Sequence, residues 1–357
     1  MNRKRIVSWI LIFAIVIGFA PVNIYASDVP QKQEVTAESD FDFDASSGTI
    51  KKYKGTDTDV VIPEKINGVS VKEIGQRAFG AKKLTTVVIP EGVETIGQGA
   101  FMGNLFTSIK LPSTVKKIDN MAFAANAKLK EINLPDSLKT IGHSIFLGDK
   151  ALEGELTLGS NLELLDRFTF GDGSRLGSQN VKLNIAPGKT KLTILRGTFG
   201  SEQTNVDIPL ERPILIKANA FRTEEPVTLN FGTIEVQKGI SKEELANTLK
   251  EKVLLNLLVA ENDVKSISVG LGKVYELPID WKLDSVDTNS TSEVTIENSF
   301  TYNEEDLKSA LDVEEINYGT DGLDAVLGRI KVVGNISFKG ESEQPEQPEQ
   351  PTTDKWS

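Results

Sequence analysis

The chain has 357 residues, 51 acidic and 40 basic side chains, and a formal charge of −11. That length accommodates two domains of ordinary size, and the acidic balance lacks the basic footprint of a nucleic-acid-binding protein. The absence of cysteine excludes disulfides, thiolate catalysis, cysteine-based zinc sites and lipid attachment through cysteine.

In chain order, Arg3, Lys4 and Arg5 precede an apolar run from Ile6 to Ala20, and Ala26 closes a small-residue cleavage site. Residues 1–26 therefore read as a secretory signal, with a run shorter than the ~20 apolar residues of a membrane span. Removing this segment, which has three cations and no acid, takes the formal charge from −11 to −14. The mature chain is expected outside the cytoplasm and free of the membrane. Residues 27–39 are a polar lead, and 27–45 form a linker and the start of an N-terminal cap. Phe41 to Pro63 reads as a capping hairpin with its turn near Gly55 and Asp57. Asp40, Asp42 and Asp44 begin like a calcium loop, but Ala45 and Lys51 stand where that loop needs Gly and Glu, so no metal site is expected.

The middle of the chain is periodic. Leu84 to Phe101 (LTTVVIPEGVETIGQGAF) is echoed by Phe106 to Phe123 and by Leu129 to Phe146. Phe101 and Phe123 are 22 residues apart, and Phe123 and Phe146 are 23 apart. A fixed period in the twenties means stacked units that bury their apolar sides against one another. Seven copies end at Phe79, Phe101, Phe123, Phe146, Phe170, Phe199 and Phe221, with an insertion opening at Gly171 to Ser174. Within a copy, Leu84, Val87 and Ile89 suit a strand with one buried face. Pro90 and Gly92 end it. The second half, through Val93, Ile96, Ala100 and Phe101, reads as a tight turn or very short strand. Each terminal Phe is expected to stack on its neighbours.

The I-G-x-x-A-F tail and the I/L-P after the strand resemble the BspA-like leucine-rich repeats of bacterial surface proteins, over residues 46–232. The resemblance implies a curved solenoid with parallel strands on its concave face. The side-chain ladder of Asn or Cys found in general leucine-rich repeats is read as missing here, with the Phe line in its place.

The register stops near Thr233. Ser241 and Glu244 form a capping box before a helix-forming run to about Ala260. Strand-like runs follow at Ser266–Val269, Val274–Trp281, Glu293–Phe300 and Leu327–Phe338, with a second short helix at Asn303–Leu311. Leu277 to Trp281, followed by Val286 and Asp287, resembles the V-x-V-x-W strand of bacterial immunoglobulin-like domains. The order of modules resembles the internalins, whose repeats lack this Phe pattern. The expected fold is mainly β: a leucine-rich-repeat solenoid, then an immunoglobulin-like β-sandwich over 233–340 with one or two helical insertions. Residues 341–357, rich in Pro, Glu and Gln, read as an extended tether.

Enzymatic signatures are sparse. His143 is the only histidine and occupies a variable turn position; no phosphate loop, nucleophile elbow or zinc helix occurs. Leu111-Pro112-Ser113-Thr114 is followed by Val115, so it is a strand end of the repeat and not a sortase signal. The candidate site is the concave face, where the outward residues of the first-half strands are expected to form two rows. One row is Val88, Lys110, Asn133, Thr157, Asn184 and Asp207. The other is Thr86, Ser108, Glu131, Glu155, Lys182 and Asn205. Both are polar and lack aromatics, which favours a polypeptide partner over a sugar. The reading is a monomeric, secreted or wall-associated protein of a Gram-positive-type cell surface. It would bind a host or envelope protein without any cofactor. A non-binding structural envelope protein and a cell-wall hydrolase remain the competing readings.

Overall fold

The structure is a computed structural model that describes residues 34–170, 180–199, 205–221, 225–260, 272–317 and 322–340. The signal segment, the insertion at 171–174, the run at 266–269 and the tail at 341–357 lie outside the described residues.

One position per repeat sets the architecture. The isoleucine before the I-G turn pairs in parallel with its counterpart in the next copy: Ile50 with Ile74, then Ile96, Ile118, Ile141, Leu165, Ile194 and Ile216. All eight are at most 1% exposed. These short strands, from Glu73–Ile74 through Ile214–Lys217, lie in an unbroken eleven-stranded sheet. The half of the repeat expected to be a turn or very short strand therefore supplies the continuous sheet. The half expected to supply the main sheet forms a second row broken into separate pairings. Asp59–Val61 pairs with Thr86–Val88, Ser108–Ile109 with Glu131–Ile132, and Glu153–Leu158 with Asn180–Ile185. Pro90, Pro112 and Pro135, which follow the strands from Thr86 to Ile132, have no N–H to extend a ladder.

Between the rows, the Phe turn forms a third line of contacts. The main-chain N–H of Phe79 donates to Ala100 at 2.8 Å, that of Phe101 to Ala122 at 2.8 Å, and that of Phe123 to Ile145 at 3.1 Å. The Phe rings stack as the sequence predicts. Tyr53 and Phe79 lie 5.4 Å apart, Phe79 and Phe101 5.2 Å, Phe101 and Phe123 5.8 Å, and Phe123 and Phe146 6.3 Å. Phe146 continues to Phe170 at 5.4 Å, and Phe199 stacks on Phe221 at 4.6 Å.

The asparagine ladder read as missing is present. Asn104, three residues after Phe101, is 2% exposed and donates through Nδ2 to the carbonyls of Phe79 (2.9 Å) and Phe101 (2.8 Å). Its Oδ1 accepts from Leu84 N–H at 3.0 Å, and its own N–H donates to Asn126 Oδ1 at 2.8 Å. Asn126 in turn donates through Nδ2 to Phe123 O, and its N–H donates to Asp149 Oδ1 at 2.6 Å. Each rung satisfies backbone that the tight turn leaves buried and unpaired.

The N-terminal hairpin forms, with its turn at Ala45 to Gly48 rather than near Gly55. Phe41–Asp44 runs antiparallel to Thr49–Tyr53. Asp44 accepts from Ser46 N–H at 3.0 Å and pairs with Lys51 at 2.9 Å, which nucleates the turn. The lead is pinned from Thr36, whose N–H and Oγ1 bond Val61 O and N–H, both at 3.0 Å.

The boundary expected at 233 falls inside the longest strand, Val227–Gln237. This strand pairs in parallel with Asn205–Asp207 and with Ile330–Lys339, in a five-stranded sheet completed by Val294–Phe300 and Ile279–Asp280. The strand bulges between Asn230 and Thr233, and Gly334 across the pair leaves room for Phe231, whose ring would lie 2.2 Å from a Cβ there. The helix at Lys242–Lys252 starts at Ser241 as expected, but ends eight residues before Ala260. Leu255–Ala260 instead adds to the continuous sheet, parallel to Ile214–Lys217, and Val274–Leu277 closes that sheet antiparallel. An immunoglobulin-like sandwich, built of antiparallel sheets, is not confirmed. The described residues from Val35 onward belong to one compact unit. Helices at Glu304–Leu311 and Gly322–Gly328 complete the region; the sequence predicts the first and misses the second.

Candidate recognition surface

Ten of the twelve candidate residues belong to the interrupted row, not to the continuous sheet; Asn205 and Asp207 lie on the strand that pairs with Val227–Gln237. Val87, Ile109, Ile132, Leu156 and Leu183 alternate with the ten and are at most 8% exposed, so the flanking side chains face outward. Thr86, Val88, Ser108, Lys110, Glu131, Asn133, Glu155, Thr157 and Lys182 are exposed, and Asn184 is half-buried. Register holds Ser108 beside Glu131, Glu155 beside Lys182, and Thr157 beside Asn184.

The ten divide by whether the fold already uses them. Asn133 spans the lapse in backbone pairing after Ile109: its Oδ1 accepts from Leu111 N–H at 2.7 Å and its Nδ2 donates to Leu111 O at 3.0 Å. It is a structural bridge. Thr86 Oγ1 bonds Asp59 at 2.7 Å, and Asp59 is held below the usual carboxylate range by Thr85 and Thr86. Glu155 accepts from Asn184 Nδ2 at 3.0 Å and pairs with Lys182 Nζ at 3.4 Å, and these two contacts lower its pKa in that order. Val88, Ser108, Lys110, Glu131 and Thr157 have no side-chain hydrogen bond or ion pair among the described residues. Those five form the uncommitted part of the surface.

Lys116 and Lys117 belong to the other row. Lys117 is in a continuous-sheet strand and pairs with Asp119 at 3.0 Å, and Lys116 pairs with Glu94 at 2.8 Å. His143 is half-buried and its N–H donates to Asn120 Oδ1 at 3.1 Å. No group of three or more His, Cys, Asp or Glu side chains among the described residues could hold a metal ion. None of the described helices is long and apolar enough to cross a membrane.

The chain is mainly β, with a long parallel-strand sheet consistent with a leucine-rich-repeat solenoid. Residues 58–186 match the BspA type leucine rich repeat region in six copies. Among solved structures, the chain is similar to a T. pallidum leucine-rich repeat protein. They share 22% identity and a TM-score of 0.41, over 56% of this chain and 86% of that one. It is also similar to a leucine-rich repeat protein from Bacteroides ovatus, at 24% identity and a TM-score of 0.37, over 53% of this chain and 46% of that one. The chain thus spans under half the length of the second protein. No curated protein matches the chain.

Proposed function

We propose that the protein is secreted and recognises a protein partner at the cell surface through the interrupted row. Its contact patch is Val88, Ser108, Lys110, Glu131 and Thr157, with Glu155, Lys182 and Asn184 at its margin. The carrying observation is that these five outward side chains are uncommitted while the strands beneath them are fixed in register. Strands fixed in register hold the backbone of this patch in place, which lowers the ordering cost of binding. The mixture of one apolar, two hydroxyl and two oppositely charged groups suits a polypeptide surface. Residues 1–26 supply the export signal, and the Pro-rich residues 341–357 serve as a tether to the wall.

The test compares retention of envelope and host proteins on the immobilised chain from residue 27 onward. Reversing Lys110 and Glu131 together should abolish retention of a captured protein and leave the melting curve unchanged. Reversing Lys116 and Lys117 on the other row should not. Equal loss from both pairs, removed by salt, would show non-specific attraction instead.

A further inference from the structure

We infer that the protein carries a second site, for an apolar molecule bearing a single carboxylate, where the helix at 242–252 passes into the strand at 255–260. A cavity of about 380 Å³ opens there, within the range of small-molecule sites. Its apolar wall includes Ile214, Leu254, Leu255, Ile279 and Trp281. Trp281 is half-buried and is held edge-on by Phe231, with ring centroids 6.0 Å apart at 80°. Its position is therefore fixed before any ligand arrives.

The polar rim decides the ligand's charge. Glu276 is already satisfied: Oε1 pairs with Lys191 Nζ at 2.9 Å and Oε2 accepts from Asn256 Nδ2 at 3.2 Å. That network is neutral overall and offers little to sugar hydroxyls. Lys250, in the last turn of the helix, is exposed and makes no ion pair or hydrogen bond among the described residues. Among the described residues, the cavity thus presents an apolar wall with an aromatic face and one uncompensated cation. An apolar body carrying one carboxylate is complementary to both, and a neutral ligand of the same shape leaves Lys250 unused.

The chain has three tryptophans, so Trp9→Phe and Trp356→Phe make Trp281 the sole reporter. Its fluorescence is titrated with N-acetylphenylalanine and with the corresponding amide. The acid should give a saturable change and bind about tenfold more tightly than the amide. Lys250→Gln should bring the acid down to the affinity of the amide, and Lys250→Arg should keep the difference, with both variants melting like the parent. Tighter binding of a longer peptide ending in phenylalanine would assign the site to polypeptide C-termini, and equal affinity would assign it to free acids. No saturable response to the acid, equal affinity for acid and amide, or an unchanged preference in Lys250→Gln would overturn the inference.

Discussion

The main-chain N–H of Asn126 donates to Oδ1 of Asp149 at 2.6 Å, while Oδ2 of the same carboxyl is buried and has no hydrogen-bond partner. Asp149 occupies the rung after Asn104 and Asn126, three residues beyond its Phe, and is fully buried. An asparagine there would offer an N–H₂ donor to the turn, as its two predecessors do. An ionised carboxylate offers none. Burial raises the Asp149 pKa from 3.8 to about 8, against a smaller opposing effect from the Asn126 N–H.

Stability should therefore carry a pH signature from this residue. Below its ordinary pKa of 3.8, folded and unfolded chains both hold the proton and nothing is lost. As pH rises towards about 8, only the folded chain keeps it, and the contribution falls by about 1.4 kcal/mol per pH unit. Above that the loss is complete. Asp149→Asn removes this slope, so its advantage over the parent in denaturant unfolding should widen from pH 4 to pH 8. A gap that stays constant across that window would show that Asp149 is not buried as a neutral acid.

The Phe line should be the main source of coupling between repeats. Phe123 is fully buried and lies 5.8 Å from Phe101 and 6.3 Å from Phe146. Phe123→Ala removes a core group shared by two neighbours, and such truncations cost about 3–5 kcal/mol. A thermal midpoint equal to that of the parent would contradict the stack.

The helix after the repeats should depend on its cap. Ser241 Oγ accepts from Glu244 N–H at 3.1 Å, and Glu244 Oε2 accepts from Ser241 N–H at 3.1 Å. Ser241→Ala should cost about 1 kcal/mol. Hydrogen exchange should locate the loss at residues 242–252. Unchanged protection in the first turn would rule the cap out as its anchor.

What the sequence shows plainly is what neighbouring residues decide. The Phe spacing, the alternation in each first-half strand and the Ser241–Glu244 box need only a local pattern, and all three form. Which half of the repeat would make the unbroken sheet is not local. Both halves alternate buried and exposed positions, and continuity depends on pairing between copies about 22 residues apart. The ladder was legible in principle as Phe-x-x-Asn at Asn104 and Asn126 and Phe-x-x-Asp at Asp149. The first copy hides it by placing Lys82 at that position, where its Nζ lies 5.5 Å from the centre of the Tyr53 ring. The strand at Val227–Gln237 runs through the expected boundary at 233, with Gly232 at its bulge. Arg212 could not be anticipated. It is fully buried, and its guanidinium donates to the carbonyls of Ala186 (2.6 Å) and Leu162 (2.9 Å) from two earlier coils. In the candidate site, the outward orientation was legible from alternation. The use of Asn133 as a bridge to Leu111 was not, because it answers a lapse in pairing between two copies.

The most direct test of recognition through the interrupted row is site-specific photo-crosslinking. A photoreactive phenylalanine analogue is placed at Ser108 on that row or at Thr140 on the continuous sheet, in otherwise unaltered chains exposed to the same envelope and host proteins. The proposed mode of recognition predicts a covalent adduct to one protein from position 108 and none from position 140. An adduct from position 140 alone would place the binding face on the continuous sheet, and no adduct from position 108 would contradict recognition through this patch.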